Sequence, residues 1–215
     1  MRAAVLGAND GIISVASLVV GVAASGATAH SVLLTGVAGL VAGTVAMAAG
    51  EYVSVQSQAD TEDADIQLER RSLAEHPGGE LDELTSIYVA RGLDEPLARR
   101  VAETLMAKDA LGAHSRDELG IVDMFRAKPL QAALASALAF GAGAMVPVIT
   151  ALVTPAGRVA TLASGTALVS LLILGGAAAH VGGASRAKGA LRVAFWGALA
   201  MGLTALVGKL FGAHV

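Results

Sequence analysis

The sequence predicts an all-α integral membrane protein, with five transmembrane helices and a three-helix, water-soluble insert between spans 2 and 3. Three observations carry that expectation. Hydrophobic residues fill 54% of the 215 positions and charged residues 15%, and mean hydropathy is +0.64; soluble domains carry about a quarter charged residues. The apolar mass is Ala, Val, Leu and Gly with only 3% aromatics, which suits helices packed closely in lipid. Of 18 carboxylates, 16 lie between Asp60 and Asp123, and only Asp10 and Glu51 lie outside. Two apolar blocks therefore flank a charged middle, giving segments 1–56, 57–126 and 127–215.

The first span covers residues 3–24, interrupted by Asn9-Asp10. At 1.5 Å per residue it is about 33 Å long, enough for a hydrocarbon core of ~30 Å. A secretory leader is not expected, because its apolar stretch would be shorter and no small-residue cleavage site precedes a hydrophilic mature chain. The second span covers 32–55. Its last two turns, Glu51-Tyr52-Val53-Ser54-Val55-Gln56, become polar and are expected to leave the membrane as one continuous helix.

In the middle segment, 60–75 reads as a charged helix ended by Pro77-Gly78-Gly79. Leu81, Leu84, Ile87 and Tyr88 recur at helical spacing up to Gly92, and Leu97, Val101 and Leu105 begin a third amphipathic helix toward His114. Three such helices cover one another's apolar faces thinly, so a partner surface is expected. The last block holds spans at 129–149, 161–181 and 191–210. Pro147 is expected to mark a kink or a helix end, and Pro155-Ala156-Gly157 and 182–189 are the connecting loops.

Lys and Arg set the expected orientation. With the charged segment inside, 13 of 15 basic residues lie inside, and Arg158 and Lys209 lie outside. The short loops agree: 25–31 has none, whereas 182–192 has Arg186, Lys188 and Arg192. Five spans then place the N-terminus inside and the C-terminus outside.

Asp10 is the most informative single residue. A carboxylate at the centre of a membrane helix costs roughly 2.5–3.5 kcal/mol and marks a proton or ion site by default; a shallow carboxylate hydrogen-bonded to a neighbouring helix is the alternative. Met47, about eight residues before the end of the second span, reaches a similar depth in an antiparallel neighbour. A carboxylate with a thioether suits a transition ion, although a methionine in an apolar helix also serves as packing. Glu51, one turn beyond, reads as a proton relay or an interfacial charge. Gly7-x-x-x-Gly11 and Gly39-x-x-x-Gly43 permit close helix contact.

In the charged segment Glu62, Glu69, Glu80, Glu83, Glu103, Met106 and Asp109 are candidate ligands. Glu80-x-x-Glu83 and Met106-x-x-Asp109 each put two ligating groups on one helix face. Solvated helical faces, neutralised by Arg70, Arg71, Arg99 and Arg100, are the other reading. His76 and His114 are read as having no partner at ligand spacing.

Several chemistries are excluded. Without cysteine there are no disulfides, thiolate metal sites or thiol catalysis. Glu-x-x-His, His-Glu-x-x-His, the P-loop and Gly-x-Ser-x-Gly are all absent. An enzyme is not expected, nor is a permanently bound cofactor. A net charge of −3 implies no nucleic-acid partner.

Two long motifs carry a family resemblance. Gly7-Ala8-Asn9-Asp10-Gly11-Ile12-Ile13-Ser14, continuing to Ser17-Leu18-Val19-Val20-Gly21-Val22, resembles the first helix of vacuolar iron transporters. Met47-Ala48-Ala49-Gly50-Glu51-Tyr52-Val53-Ser54-Val55-Gln56-Ser57-Gln58 with Asp60-Thr61-Glu62 resembles the exit of their second span. Ile87-Tyr88, Arg91-Gly92-Leu93 and Asp117-Glu118-Leu119-Gly120 extend the similarity over essentially the whole chain. The resemblance, taken as that of a bacterial member, implies a five-span homodimer with the ion path between subunits. It implies exchange of cytosolic Fe²⁺, and often Mn²⁺, for protons. By that analogy Asp10 and Met47 are intramembrane metal ligands, and Glu69, Glu80, Glu83, Met106 and Asp109 are ligands of a cytosolic metal-binding insert.

The chain departs from relatives at Ser72, where a second glutamate is common, and at Gly36, Gly39 and Gly43, where some carry a further carboxylate. Only Met1-Arg2 precedes the first span. The expected function is a proton-coupled exporter of Fe²⁺ or Mn²⁺ in a bacterial-type cytoplasmic membrane. A non-transporting membrane sensor or scaffold for divalent ions is the alternative.

Overall fold

A computed structural model of the chain describes residues 2–121 and 128–212; the expected boundary between 126 and 127 falls outside them. Seven α-helices make up the described residues: α1 (Arg2–Ala24), α2 (Ala29–Glu75), α3 (Pro77–Ala90), α4 (Glu95–Asp117), α5 (Pro129–Val153), α6 (Val159–Val181) and α7 (Arg186–Gly212), with a 3₁₀ turn at Ala156–Arg158. No strand occurs among those residues. Helices α1, α2, α5, α6 and α7 are long and apolar enough to cross a membrane, as the apolar runs predict. The chain is a multi-pass membrane protein. It divides into two compact units, Met1–Tyr52 with Leu130–Val215, and Val53–Pro129.

In the first unit α1 is the central helix. Ile12, Val15, Ala16 and Val19 are at most 1% exposed and form a core with Phe140 and Ala144 of α5, Ala163, Ala167 and Leu171 of α6, and Met201 of α7. Small residues let backbones meet there. A Cβ on Gly11 would lie 2.2 Å from the Phe140 carbonyl oxygen, and one on Gly43 would lie 2.2 Å from the Phe140 ring. Phe140 thus touches α1 through its main chain and α2 through its side chain. Main chain cannot swing aside as a side chain can. Gly11→Ala is therefore expected to cost at least the roughly 1–3 kcal/mol of an overpacked core, read as a lowered melting temperature in detergent.

α2 is continuous through its polar exit, as expected, but it runs further than expected. It runs 47 residues, about 70 Å, through the polar exit and the whole charged stretch to Glu75. No Gly or Pro interrupts it between Gly50 and Pro77, and Gln56→Asp60 and Gln58→Glu62 side-chain bonds of 2.8 Å brace consecutive turns. The charged helix at 60–75 is thus not a separate element. Pro77 opens α3 rather than only closing what precedes it, because proline at a first helical position needs no N–H partner.

Gly92, at φ +102°, makes the left-handed turn that ends α3. Asp94 caps α4 by accepting from the Leu97 amide at 2.9 Å. The core of this second unit is small: Leu84, Ala102 and Ala113, with Leu81, Ile87, Tyr88, Leu105 and Met106 against them.

Two expectations in the last block are revised. Pro147 does not end α5, which continues to Val153 with Pro147 buried. α7 starts at Arg186, so Arg186, Lys188 and Arg192 lie on the helix and not in a loop before it.

Candidate metal centre

The Val53–Pro129 unit brings three helix ends together. Glu69 comes from the last turns of α2, Glu80 from the first turn of α3, and His114 and Glu118 from the end of α4. One ligating atom from each of the four lies within 4.8 Å of the others. His114 Nδ1 is 2.8 Å from Glu118 Oε2, 3.1 Å from Glu69 Oε1 and 3.6 Å from Glu80 Oε2. His114 is fully buried, Glu69 and Glu80 are 6% exposed, and Glu118 is open to solvent.

The hydrogen-bond count does not close. Nδ1 carries at most one proton, and the Glu118 contact is the one with hydrogen-bond geometry. Glu69 Oε1 and Glu80 Oε2 are buried with no hydrogen-bond partner. Three carboxylates thus converge on one N–H, which leaves buried acceptors unsatisfied and like charges close together. Burial, then the charge of Glu118, raises the Glu69 carboxyl from 4.5 to about 7, with His114 opposing and Glu80 adding to the rise. Glu83 is exposed and stands outside the group of four. The Glu118 charge raises its carboxyl too, with burial and Glu80 contributing. The Ser72 hydroxyl donates to Glu80 Oε1, which fixes that carboxylate with Oε2 toward the imidazole.

The α4 end is itself anchored. Asp117 accepts from Tyr88 Oη at 2.9 Å and from Arg91 Nη1 at 2.7 Å, while Arg91 Nη2 donates to the Asp117 carbonyl at 3.0 Å. This ties the last turn of α4 to the end of α3 and sets the positions of His114 and Glu118. Burial pushes the Asp117 carboxyl up, but bonds from Arg116, Arg91 and Tyr88 outweigh it and hold it at about 2, against an ordinary 3.8. A depressed carboxylate stabilises the fold above its unfolded value and loses that contribution as pH falls toward 2. Asp117→Asn should therefore cost about 2 kcal/mol at pH 6. The gap to the native chain should close between pH 4 and 2, followed by thermal unfolding in detergent.

One correction concerns α4: His114 does have a partner at ligand spacing, Glu118, four residues on. Of the expected pair Met106 and Asp109, the carboxylate is not one of the four. Met106 packs on the Leu84 core. Asp109 leaves helical geometry (φ −162°, ψ 88°) and accepts from the Gly112 amide at 3.0 Å, so it caps the last two turns of α4. Of the other acids, Glu62 accepts from Gln58 and Glu103 pairs with Arg99 at 3.4 Å.

In the membrane unit Asp10 is half-buried, and its Oδ1 accepts from Ser14 Oγ at 2.8 Å. Met47 is half-buried against the core around α1. Gly11, next to Asp10, meets the Phe140 main chain, and Gly43, one turn before Met47, meets the Phe140 ring. Glu51 follows one turn later, half-buried. Asn9 Oδ1 and Thr44 Oγ1 are buried at this level without hydrogen-bond partners.

Five membrane-length helices and a carboxylate–imidazole cluster define a multi-pass membrane protein with a candidate divalent-cation centre. The chain belongs to the VIT family, whose model matches residues 1–209; this is a family of transporters, not of enzymes. It is 46% identical over 211 residues to the "Vacuolar iron transporter" of Acanthamoeba castellanii, covering 98% of this chain and 78% of that protein. It is 41% identical to "Vacuolar iron transporter homolog 1" of Oryza sativa subsp. japonica, covering 100% of this chain and 75% of the relative. With "Vacuolar iron transporter homolog 3" of Arabidopsis thaliana it shares 38% identity, over 100% of this chain and 84% of the relative.

Proposed function

We propose that this chain carries Fe²⁺ or Mn²⁺ across its membrane and exports it from the cytosol in exchange for protons. The observation that carries the reading is the convergence of Glu69, Glu80 and Glu118 on a single imidazole nitrogen in a VIT-family membrane protein. A divalent cation at that point would satisfy the orphaned Glu69 and Glu80 oxygens at once. Two relatives above 40% identity are named for iron, and a mixed carboxylate–imidazole set suits Fe²⁺ and Mn²⁺ better than thiophilic ions.

In this reading the four residues capture the ion, with Glu83 at the rim adding negative charge. Asp10 and Met47 form the transfer site within the membrane, and Glu51 relays protons. Asp10 alternates between the metal-bound and protonated forms, so that the metal ion and the proton compete for one carboxylate. The working unit is a homodimer, with the ion path between subunits. The Lys and Arg bias supports a cytosolic N-terminus and charged unit, with the C-terminus outside. The membrane is then the cytoplasmic membrane of a bacterial-type cell.

Liposomes containing the purified chain test this. Fe²⁺ movement should be driven by a pH gradient and accompanied by opposite proton flow. A sensor or scaffold would bind the ion without moving it.

A further inference from the structure

Helix α7 has two unlike faces. Gly197, Met201 and Gly208 are buried, with Gly208 against the Gly21 carbonyl of α1. On the opposite side Lys188, Arg192, Phe195, Trp196, Leu199 and Leu203 fall, at 100° per residue, within one stripe about 100° wide. All six are exposed, Trp196 at 60% and Leu203 at 56%. The stripe is ordered along the helix axis, with two cations in the first turns and aromatic and aliphatic side chains after them.

No Asp or Glu follows Asp123 anywhere in the chain. In the Met1–Tyr52 and Leu130–Val215 unit the only acids are Asp10 and Glu51. Neither Lys188 nor Arg192 has an ion-pair partner among the described residues. Arg186 differs: it leaves the helix on another side and its guanidinium lies 2.9–3.0 Å from the His180 ring nitrogens.

We infer that this stripe binds an anionic phospholipid of the adjacent leaflet. Lys188 and Arg192 hold the headgroup phosphate, and one acyl chain runs along Phe195, Trp196, Leu199 and Leu203. From Arg192 to Leu203 the helix rises about 16 Å, close to half the hydrocarbon thickness. Arg192 offers a planar fork that matches a phosphate. A zwitterionic headgroup brings its own cation, which offsets the attraction; an anionic one does not. The inference is independent of what the chain transports.

Trp196 is the only tryptophan in the sequence and lies on the stripe itself, so it reports on its own lipid neighbours. The full chain is reconstituted in phosphatidylcholine with a small fraction of phosphatidylglycerol, and bromine is placed on the acyl chains of one or the other. Each basic residue near a charged surface is worth about a fivefold preference. Brominated phosphatidylglycerol should then quench Trp196 as though enriched on the order of twentyfold. In Lys188→Gln/Arg192→Gln the preference should fall to near parity, while Arg186→Gln retains it. Molar salt should weaken the preference in the native chain, which serves if the double variant fails to fold. Equal quenching by both lipids in the native chain would overturn the inference. So would a preference that survives the double substitution, or no quenching by either lipid, which would mean that protein covers the face.

Discussion

Asp10→Asn is expected to abolish both metal flux and the proton counterflow, with the protein still folded. The substitution keeps the shape of the side chain and its capacity to accept from Ser14 Oγ, which now bonds Asp10 Oδ1 at 2.8 Å. It removes the negative charge and the site that a proton and a metal ion would share. A carboxylate within a membrane helix is expensive to retain, and one that binds a cation and a proton in turn couples their movements through competition. The expected loss is at least a hundredfold in initial Fe²⁺ flux, since an amide cannot alternate in charge. Measured in proteoliposomes, undiminished coupled flux would remove Asp10 from the mechanism. Metal binding by the Val53–Pro129 unit should stay within about twofold of native, because His114 and its carboxylates are untouched.

The second large effect belongs to that cluster. His114→Ala deletes the one nitrogen on which three carboxylates converge. Even the loss of an outer partner of a metal ligand costs about 10–100-fold in affinity, so loss of the ligand itself should cost roughly a hundredfold or more. Asp10→Asn and His114→Ala therefore separate transfer from capture: the first loses movement, the second loses binding. The pH dependence follows from Glu69, held near 7 by burial and by the Glu118 charge. Below that value Glu69 holds a proton that the metal must displace, so affinity should fall as pH drops from 7 toward 5, by up to about tenfold per unit. Metal-free stability has the opposite sign. A carboxyl raised above its unfolded value makes the folded state bind the extra proton between 4.5 and 7. The metal-free fold therefore weakens as pH rises through that window, and added Fe²⁺ should restore it. Thermal unfolding in detergent at pH 5 and 8, with and without the ion, reads both signs.

Much of the fold was legible because apolar runs of 20 or more residues leave few alternatives. The five membrane-length helices sit where those runs are, and the two apolar blocks belong to one compact unit. Helix ends were less legible. α2 reads as two elements because its apolar face fades at Glu51, yet nothing after Gly50 removes a backbone hydrogen bond until Pro77, so the helix continues. Hydropathy reports the solvent a helix meets, not whether the helix stops.

In the candidate centre Glu69 and Glu80 were legible as acids on helix faces; His114 and Glu118 were missed. The physical reason lies at Asp109. Its extended backbone restarts α4, so the face of every later residue shifts relative to Met106. Spacing counted through that break does not show which later residues face Glu69 and Glu80. A signal for His114 and Glu118 was present in their i, i+4 spacing, beside the Asp117-Glu118-Leu119-Gly120 motif. Asp109 also shows that an acid within a helix has local duties, here accepting from the Gly112 amide.

In the proposed function Glu69, Glu80, His114 and Glu118 gather because a divalent cation belongs among them. Crystals of the full chain soaked with Mn²⁺ test it most directly through the anomalous scattering of the metal. The expected result is one peak within bonding distance of His114 Nδ1 and of oxygens from all three glutamates, lost in His114→Ala. Saturating Mn²⁺ with no peak there, and His114 Nδ1 still hydrogen-bonded to Glu118, would contradict it.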